Sequence, residues 1–272
     1  MTVYGGLSCD SGRGRDRRYG APMNEPRGEA MLKLASIEYA IELAGFAPRG
    51  ALQLKDAERV GALAPFRTLV LVGMIGARHW DAFEESPEAR DRAPDPLDRW
   101  SRRNLDRLAG LFGAEALYPF GGPPYWPFPS WAARAEPLWG SPLGMLIHRD
   151  YGLWHSYRGA LALPEELGPP TAPSGKGPCE SCAQRPCLSA CPVSAFTAEG
   201  YAVDLCREHL RGPGGRECLE GGCLARRACP VGQSYAHGPQ QTRFHMRAFL
   251  AADPLNPLPP RAASPSSPEP RE

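Results

Sequence analysis

Between Met31 and Ala44 apolar side chains return at helical spacing, with Leu34, Ile37, Ile41 and Ala44 on one stripe. Gly45 then offers the left-handed stop that ends many helices. Arg67–Gly73 is a short β-rich apolar run that predicts a buried strand, and a short helix over Ala77–Glu84 should follow it. The best-marked helix starts at Pro96, with Asp95 as its expected cap. Leu97, Trp100, Leu105, Leu108, Leu111 and Phe112 form its stripe and Gly113 its end. Leu143–His148 and Leu153–Leu163 are apolar, aromatic-rich runs separated by Arg149-Asp150-Tyr151-Gly152, a spacing that predicts a hairpin. Gln240–Ala251 reads as a last helix presenting Phe244, Met246, Phe249 and Leu250.

Composition divides the chain. A proline- and glycine-rich stretch from Pro164 to Gly177 marks a boundary between domains. The expected organisation is a disordered leader over 1–30, an α/β domain over 31–168, a cysteine-bearing domain over 169–252 and a disordered tail over 253–272. With 42% hydrophobic residues in 272, at least one of these domains can bury a real core. The net charge of +1 provides no field that would favour nucleic acid or an anionic membrane. No apolar h-region follows Met1, and the longest apolar run, Leu69–Ala77, falls far short of the ~20 residues that span a bilayer. Translation from Met23 or Met31 would remove most of the leader. The expectation is a cytoplasmic protein without nucleic-acid or membrane partners.

Cysteine changes the picture most. Eight of nine cysteines lie between Cys179 and Cys229, as C-x2-C-x4-C-x3-C-P, a lone Cys206, then C-x4-C-x5-C-P; Cys9 stands apart in the leader. Clustered thiols at this spacing point to metal ligation in a reducing compartment rather than to a disulfide framework. Two four-cysteine zinc sites would satisfy the count. The Cys191-Pro192 and Cys229-Pro230 endings favour iron and sulfide, because in two-cluster ferredoxins the cysteine before proline crosses to the other cluster. That rule assigns Cys179, Cys182, Cys187 and Cys229 to one 4Fe-4S cluster, and Cys191, Cys206, Cys218 and Cys223 to the other. The four residues between Cys182 and Cys187 depart from the minimal bacterial pattern, which has two.

Within Leu143–Pro164 the skeleton G-x-x-I-H, G-x-W, R-G and L-P resembles a stretch of the cobalamin-processing CblC family. There it belongs to a flavin-reductase-like α/β fold that cradles a corrinoid, so the resemblance implies cofactor contact for Gly144, His148, Gly152, Trp154 and Arg158. Residue by residue, other roles stay open. Trp154 also suits a core, and His148 also suits a local turn hydrogen bond. Arg158 needs a partner that either a cofactor or a protein carboxylate can supply. The aromatic and proline-rich loop Tyr118–Trp131 reads as a rigid pocket wall or as self-packed.

The cysteine region resembles the C-terminal module of epoxyqueuosine reductase and of reductive dehalogenases, which also place a corrinoid domain before two clusters. Leu117–Phe128, where epoxyqueuosine reductase carries a catalytic Asp, contains no carboxylate, which argues against queuosine chemistry. No D-x-H-x-x-G corrinoid-ligand motif is present.

The resulting expectation is an α+β chain: a flavin-reductase-like, corrinoid-binding type of α/β domain followed by a small ferredoxin-like two-cluster domain. Single electrons would pass from a donor that the sequence does not identify, through two 4Fe-4S clusters, to a corrinoid or another small molecule. The rivals are an electron-transfer adaptor whose N-terminal domain docks a partner protein, and a zinc-stabilised binding module.

Overall fold

The computed structural model describes residues 25–168 and 175–251. Cys9, most of the expected leader and the tail over 253–272 lie outside them. The chain runs α1 (Glu25–Leu43), β1 (Ala47–Gln53), β2 (Thr68–Ile75), α2 (Trp80–Glu84), α3 (Pro87–Arg90), α4 (Pro96–Phe112), β3 (Glu115–Leu117), α5 (Phe128–Ala135), β4 (Leu138–Gly140), β5 (Leu146–His148) and β6 (His155–Leu163). The cysteine segment adds α6 (Pro186–Ser189), β7 (Phe196–Thr197), β8 (Gly200–Tyr201), α7 (Val203–Arg211), α8 (Arg216–Gly221), α9 (Leu224–Arg227) and α10 (Pro239–Ala251). α1 begins six residues before Met31, inside the stretch expected to be a leader.

The first part is a helix–sheet–helix sandwich around an antiparallel sheet ordered β1-β2-β6-β3. β2 is buried at every position, as a run with no polar face requires when both sides of a sheet are covered. Its alternate residues serve two cores. Val70, Val72 and Met74 face Ile37 and Ile41 of α1, Trp80 and Phe83 of α2, and Trp100, Leu105 and Leu108 of α4. Leu69 and Leu71 face Phe128, Trp131 and Ala132 of α5.

Three expectations need correction. The runs around Leu146 and Leu161 do not form a hairpin: β5 pairs with β4, whereas β6 lies between β2 and β3, and an isolated bridge joins His148 only to Gly152 of the spacer. Gly159–Leu163 is buried throughout, and only a central strand can cover both of its faces. Asp95 adopts a left-handed backbone (φ 50°), outside the extended region in which a cap side chain reaches the helix amides, and its carboxylate caps nothing. Pro96, with φ preset, starts α4, Gly113 ends it as expected, and Leu111 points outward. The Tyr118–Trp131 segment is not all loop, because its last residues open α5.

β1 went unread in the sequence and carries a bulge between Pro48 and Ala51. Gly50 takes φ +74° there, and a Cβ on it would stand 2.7 Å from the Ala135 carbonyl oxygen. The bulge turns Arg49 into the interior, where it is fully buried.

The cysteine segment ends by returning to the sandwich. Phe244 of α10 packs edge-on against Trp80 and Phe83, with ring centroids 5.2 and 5.4 Å apart, and Gln241 Nε2 donates to the Gly76 carbonyl at 3.1 Å. Among the described residues no helix is long and apolar enough to cross a membrane.

Candidate metal centre

Helices of four to nine residues, separated by glycine, proline and left-handed turns, carry the cysteines. Cys187 sits in α6, entered through a left-handed Arg185 with Pro186 at the first helical position. Cys206 lies in α7 and Cys218 in α8, and Cys223 immediately precedes α9. Helices this short do not hold themselves. They are held by an apolar cluster in which Leu143, Ile147 and Leu153 of the first part pack with Ala225 and Cys229, rimmed by Cys179, Cys187, Cys191 and Cys223.

All eight described cysteines are unbridged. Cys179, Cys182, Cys187 and Cys229 line one partly open cavity of about 300 Å³ together with Pro142, Ile147, Pro178, Pro186, Pro230 and Val231. Burial pushes the Cys179 and Cys187 thiols up, and the neighbouring thiolates of this group push them further. Cys191, Cys206, Cys218 and Cys223 form a second set of mutual neighbours: Cys218 feels Cys206 and Cys191, and Cys223 feels Cys206 and Cys218. Burial raises the Cys206, Cys218 and Cys223 thiols as well. Hydrogen bonds oppose it, from the Tyr201 hydroxyl to Cys206, from the Leu224 amide to Cys218, and from the Ala225 and Arg226 amides to Cys223. The Ala195 amide donates to Cys191 Sγ at 3.3 Å.

Eight soft donors, two of them buried and the rest half-buried, several met by amide N–H groups, are the donor set that iron–sulfur clusters use. Among the described residues no three His, Cys, Asp or Glu side chains converge on a single metal ion. The first four thiols surround a void instead, an arrangement that fits a group of several atoms.

Of the five residues expected around a corrinoid, His148 and Gly152 meet in a backbone bridge, and the others have separate surroundings. Gly144 turns the chain between β4 and β5 with φ +74°. His148 is buried, and its Nδ1 accepts the Asp150 and Tyr151 amides at 3.0 and 3.3 Å. Gly152 takes φ +57°, and a Cβ there would lie 2.0 Å from the Val231 carbonyl oxygen, so this glycine seats the loop that follows Cys229. Arg158 points the other way, toward α4, where it bonds Asp98 and donates to Ser101 Oγ at 3.0 Å. Trp154 stacks against the Arg226 guanidinium at 4.3 Å. It lines a cavity of about 480 Å³ together with Ala190, Leu224, Ala228 and His237, but none of the other four residues does.

Sequence reasoning missed a buried polar array beneath the β4–β5 pair. Arg49 Nε donates to Glu136 Oε1 and its Nη2 pairs with Oε2, both at 2.8 Å, and the Tyr157 hydroxyl donates to the same carboxylate. His155 Nδ1 stands 3.3 Å from Arg49 Nη2. Burial, with the Arg49 charge, drives the His155 pKa down to about 3, and burial drives Tyr157 upward. The available signal was Pro48-Arg49-Gly50, a charge beside a bulge-forming glycine in an apolar stretch.

No protein-family model matches the chain. Hydrogenase-4 component A of Escherichia coli is 29% identical over 126 residues, which cover 44% of this chain and 54% of that protein; the chain thus spans about half the length of this curated relative. Among solved structures, the B12-trafficking protein CblC of C. elegans superposes with a TM-score of 0.49 at 14% identity, covering 81% of this chain and 94% of that one. Epoxyqueuosine reductase from Streptococcus thermophilus gives 0.46 at 17% identity, covering 75% and 67%.

Proposed function

We propose that this chain is an iron–sulfur electron-transfer protein with two 4Fe-4S clusters, one held by Cys179, Cys182, Cys187 and Cys229 and the other by Cys191, Cys206, Cys218 and Cys223. The observation that carries the reading is the gathering of eight unbridged thiols into two sets, the first around a cavity of about 300 Å³. Bound clusters of this type supply one-electron chemistry. The chain's own residues would fix the ligands, exclude water from them and present amide N–H groups to sulfur, the levers by which a protein sets a cluster's potential. The partial likeness to a hydrogenase component supports redox work of this kind.

Residues 31–168 we assign as the supporting and docking body of an adaptor, whose partner protein supplies or removes electrons. Two features favour this over a corrinoid holder. Arg158 is already neutralised by Asp98, and Gly152 and Leu153 are spent on seating the cysteine segment. The CblC-like skeleton from Gly144 to Pro164 would then serve as the seat of the first cysteine set.

Protein purified without air tests the reading. Iron and acid-labile sulfide near eight of each per chain are expected, with about half remaining after Cys187→Ser or Cys206→Ser. Zinc in place of iron would overturn it. An unchanged visible spectrum of added cobalamin is expected, and a shift would return the corrinoid reading to first place.

A further inference from the structure

The buried and half-buried arginines Arg49, Arg158, Arg207 and Arg226 fall into two kinds. Arg49 is neutralised by Glu136 and Arg158 by Asp98. Arg207 and Arg226 have no carboxylate within ion-pairing distance among the described residues, and the Nε of each is shut off from water without a hydrogen-bond partner. Arg207 is 7% exposed, and the contact found for its guanidinium is the Phe249 ring at 5.2 Å. Arg226 Nη2 donates to the Leu153 carbonyl at 2.6 Å, and its guanidinium lies on the Trp154 ring at 4.3 Å. A carbonyl and two rings do not balance one buried and one half-buried positive charge, so a nearby anion must.

Both arginines belong to the second cysteine set. Arg207 directly follows Cys206, and Arg226 lies three residues beyond Cys223, whose sulfur accepts the Arg226 amide. The charge of each acts on that set: Arg207 favours the Cys206 thiolate, and the Cys223 thiolate favours charged Arg226. The first set has a different neighbour. Arg185 acts on Cys179, but it is exposed, and water and salt screen it.

We infer that Arg207 and Arg226 are the built-in counter-cations of the second cysteine set, and that they hold its reduction potential above that of the first. This rests on the two-cluster reading above. A positive charge fixed in a poorly screened site favours the more negative, reduced state of whatever those four thiolates hold. The second site is therefore the one at which an incoming electron comes to rest. Leu153 and Trp154 act as positioning residues, because they hold Arg226 in place from the first part of the chain.

The test is an anaerobic redox titration followed by electron paramagnetic resonance on wild type, Arg207→Gln, Arg226→Gln and the two lysine counterparts, with iron counted in each. Each glutamine variant should lower the equilibrium constant for one-electron reduction of the higher-potential centre at least tenfold, which is about 59 mV for a one-electron couple. The other centre should move less. Lysine, which keeps the charge, should recover most of the shift. If a glutamine variant loses half of its iron while its lysine counterpart keeps all of it at the wild-type potential, the need for charge is again upheld.

Glutamine variants with full iron and unmoved potentials would overturn the inference. So would lysine variants that shift, or lose iron, as much as glutamine, because packing and not charge would then be responsible. Wild-type protein without iron would overturn the two-cluster reading itself, and this inference with it.

Discussion

Removing the carboxylate of Glu136 should be among the most damaging single changes available to the sheet domain. Arg49 has no exposed side-chain surface and Glu136 only 11%, and two N–H groups of the guanidinium meet the carboxylate at 2.8 Å. Hydrogen bonds to charged groups contribute about 1.5–3 kcal/mol each. Breaking one side of a buried pair costs about 3–5 kcal/mol, because the surviving charge stays buried. The other groups near Arg49, the Met74 and Ser156 carbonyls at 3.3 and 3.5 Å, His155 Nδ1 at 3.3 Å and the Tyr157 hydroxyl at 3.4 Å, are neutral and long, and do not replace it. Glu136→Ala should therefore lower stability by about 4 kcal/mol, a large part of the roughly 5–15 kcal/mol typical of a domain. The double variant Arg49→Met/Glu136→Leu removes both charges at similar volume and should recover most of the loss. Urea unfolding followed by far-ultraviolet circular dichroism, at matched iron content, reads both as midpoint shifts at constant slope. A single variant within about 1 kcal/mol of wild type, or a double variant no better than the single, would refute the reasoning.

Gly152→Ala forces a Cβ to within 2.0 Å of the Val231 carbonyl oxygen at positive φ, and should lower iron content toward half by displacing Cys229, as colorimetric iron assay will show. His155 couples stability to acid. Its folded pKa of about 3 lies below the ordinary 6.5, so the unfolded chain binds the extra proton between those values, and stability falls as pH drops through that window. The slope is at most about 1.4 kcal/mol per pH unit, so His155→Leu should remove about 2 kcal/mol of the stability change between pH 7 and pH 5, read from urea unfolding. Phe244→Ala should cost about 2 kcal/mol, visible as a lower thermal midpoint, because it withdraws a partly buried ring from Trp80 and Phe83. A midpoint equal to wild type would show that α10 is not anchored there.

Legibility in the sequence followed periodicity. β2 and α4 show an apolar run or stripe, α10 an apolar-rich segment, and each is found where expected, within a few residues. β1 escaped because Pro48, Arg49 and Gly50 break its alternation, and a bulge has no period. The imagined hairpin failed for a related reason. Adjacency in sequence favoured pairing Ile147 with the strand around Leu161, but β6 needs cover on both faces and finds it between β2 and β3, which are far away in the chain. The gathering of the thiols was plain because their close spacing is written in the sequence itself. Glu136, Arg207 and Arg226 were not, because a charged residue becomes informative only when its burial and its partners are known.

The return of α10 to the sandwich makes the cysteine segment a loop pinned at both ends, by β6 on one side and by Phe244 on the other. Loop closure costs chain entropy that grows slowly with length, and here hydrophobic packing meets that cost before any thiol is engaged. A gathered set of ligands then has little freedom left to lose. The clamp also imposes an order on assembly. In a chain made from its N-terminus, the sheet can form while the thiols are still emerging, but the loop shuts only when α10 has followed them all out. The last described helix is thus the latch, and until it closes the cysteines remain within reach of whatever delivers their cargo.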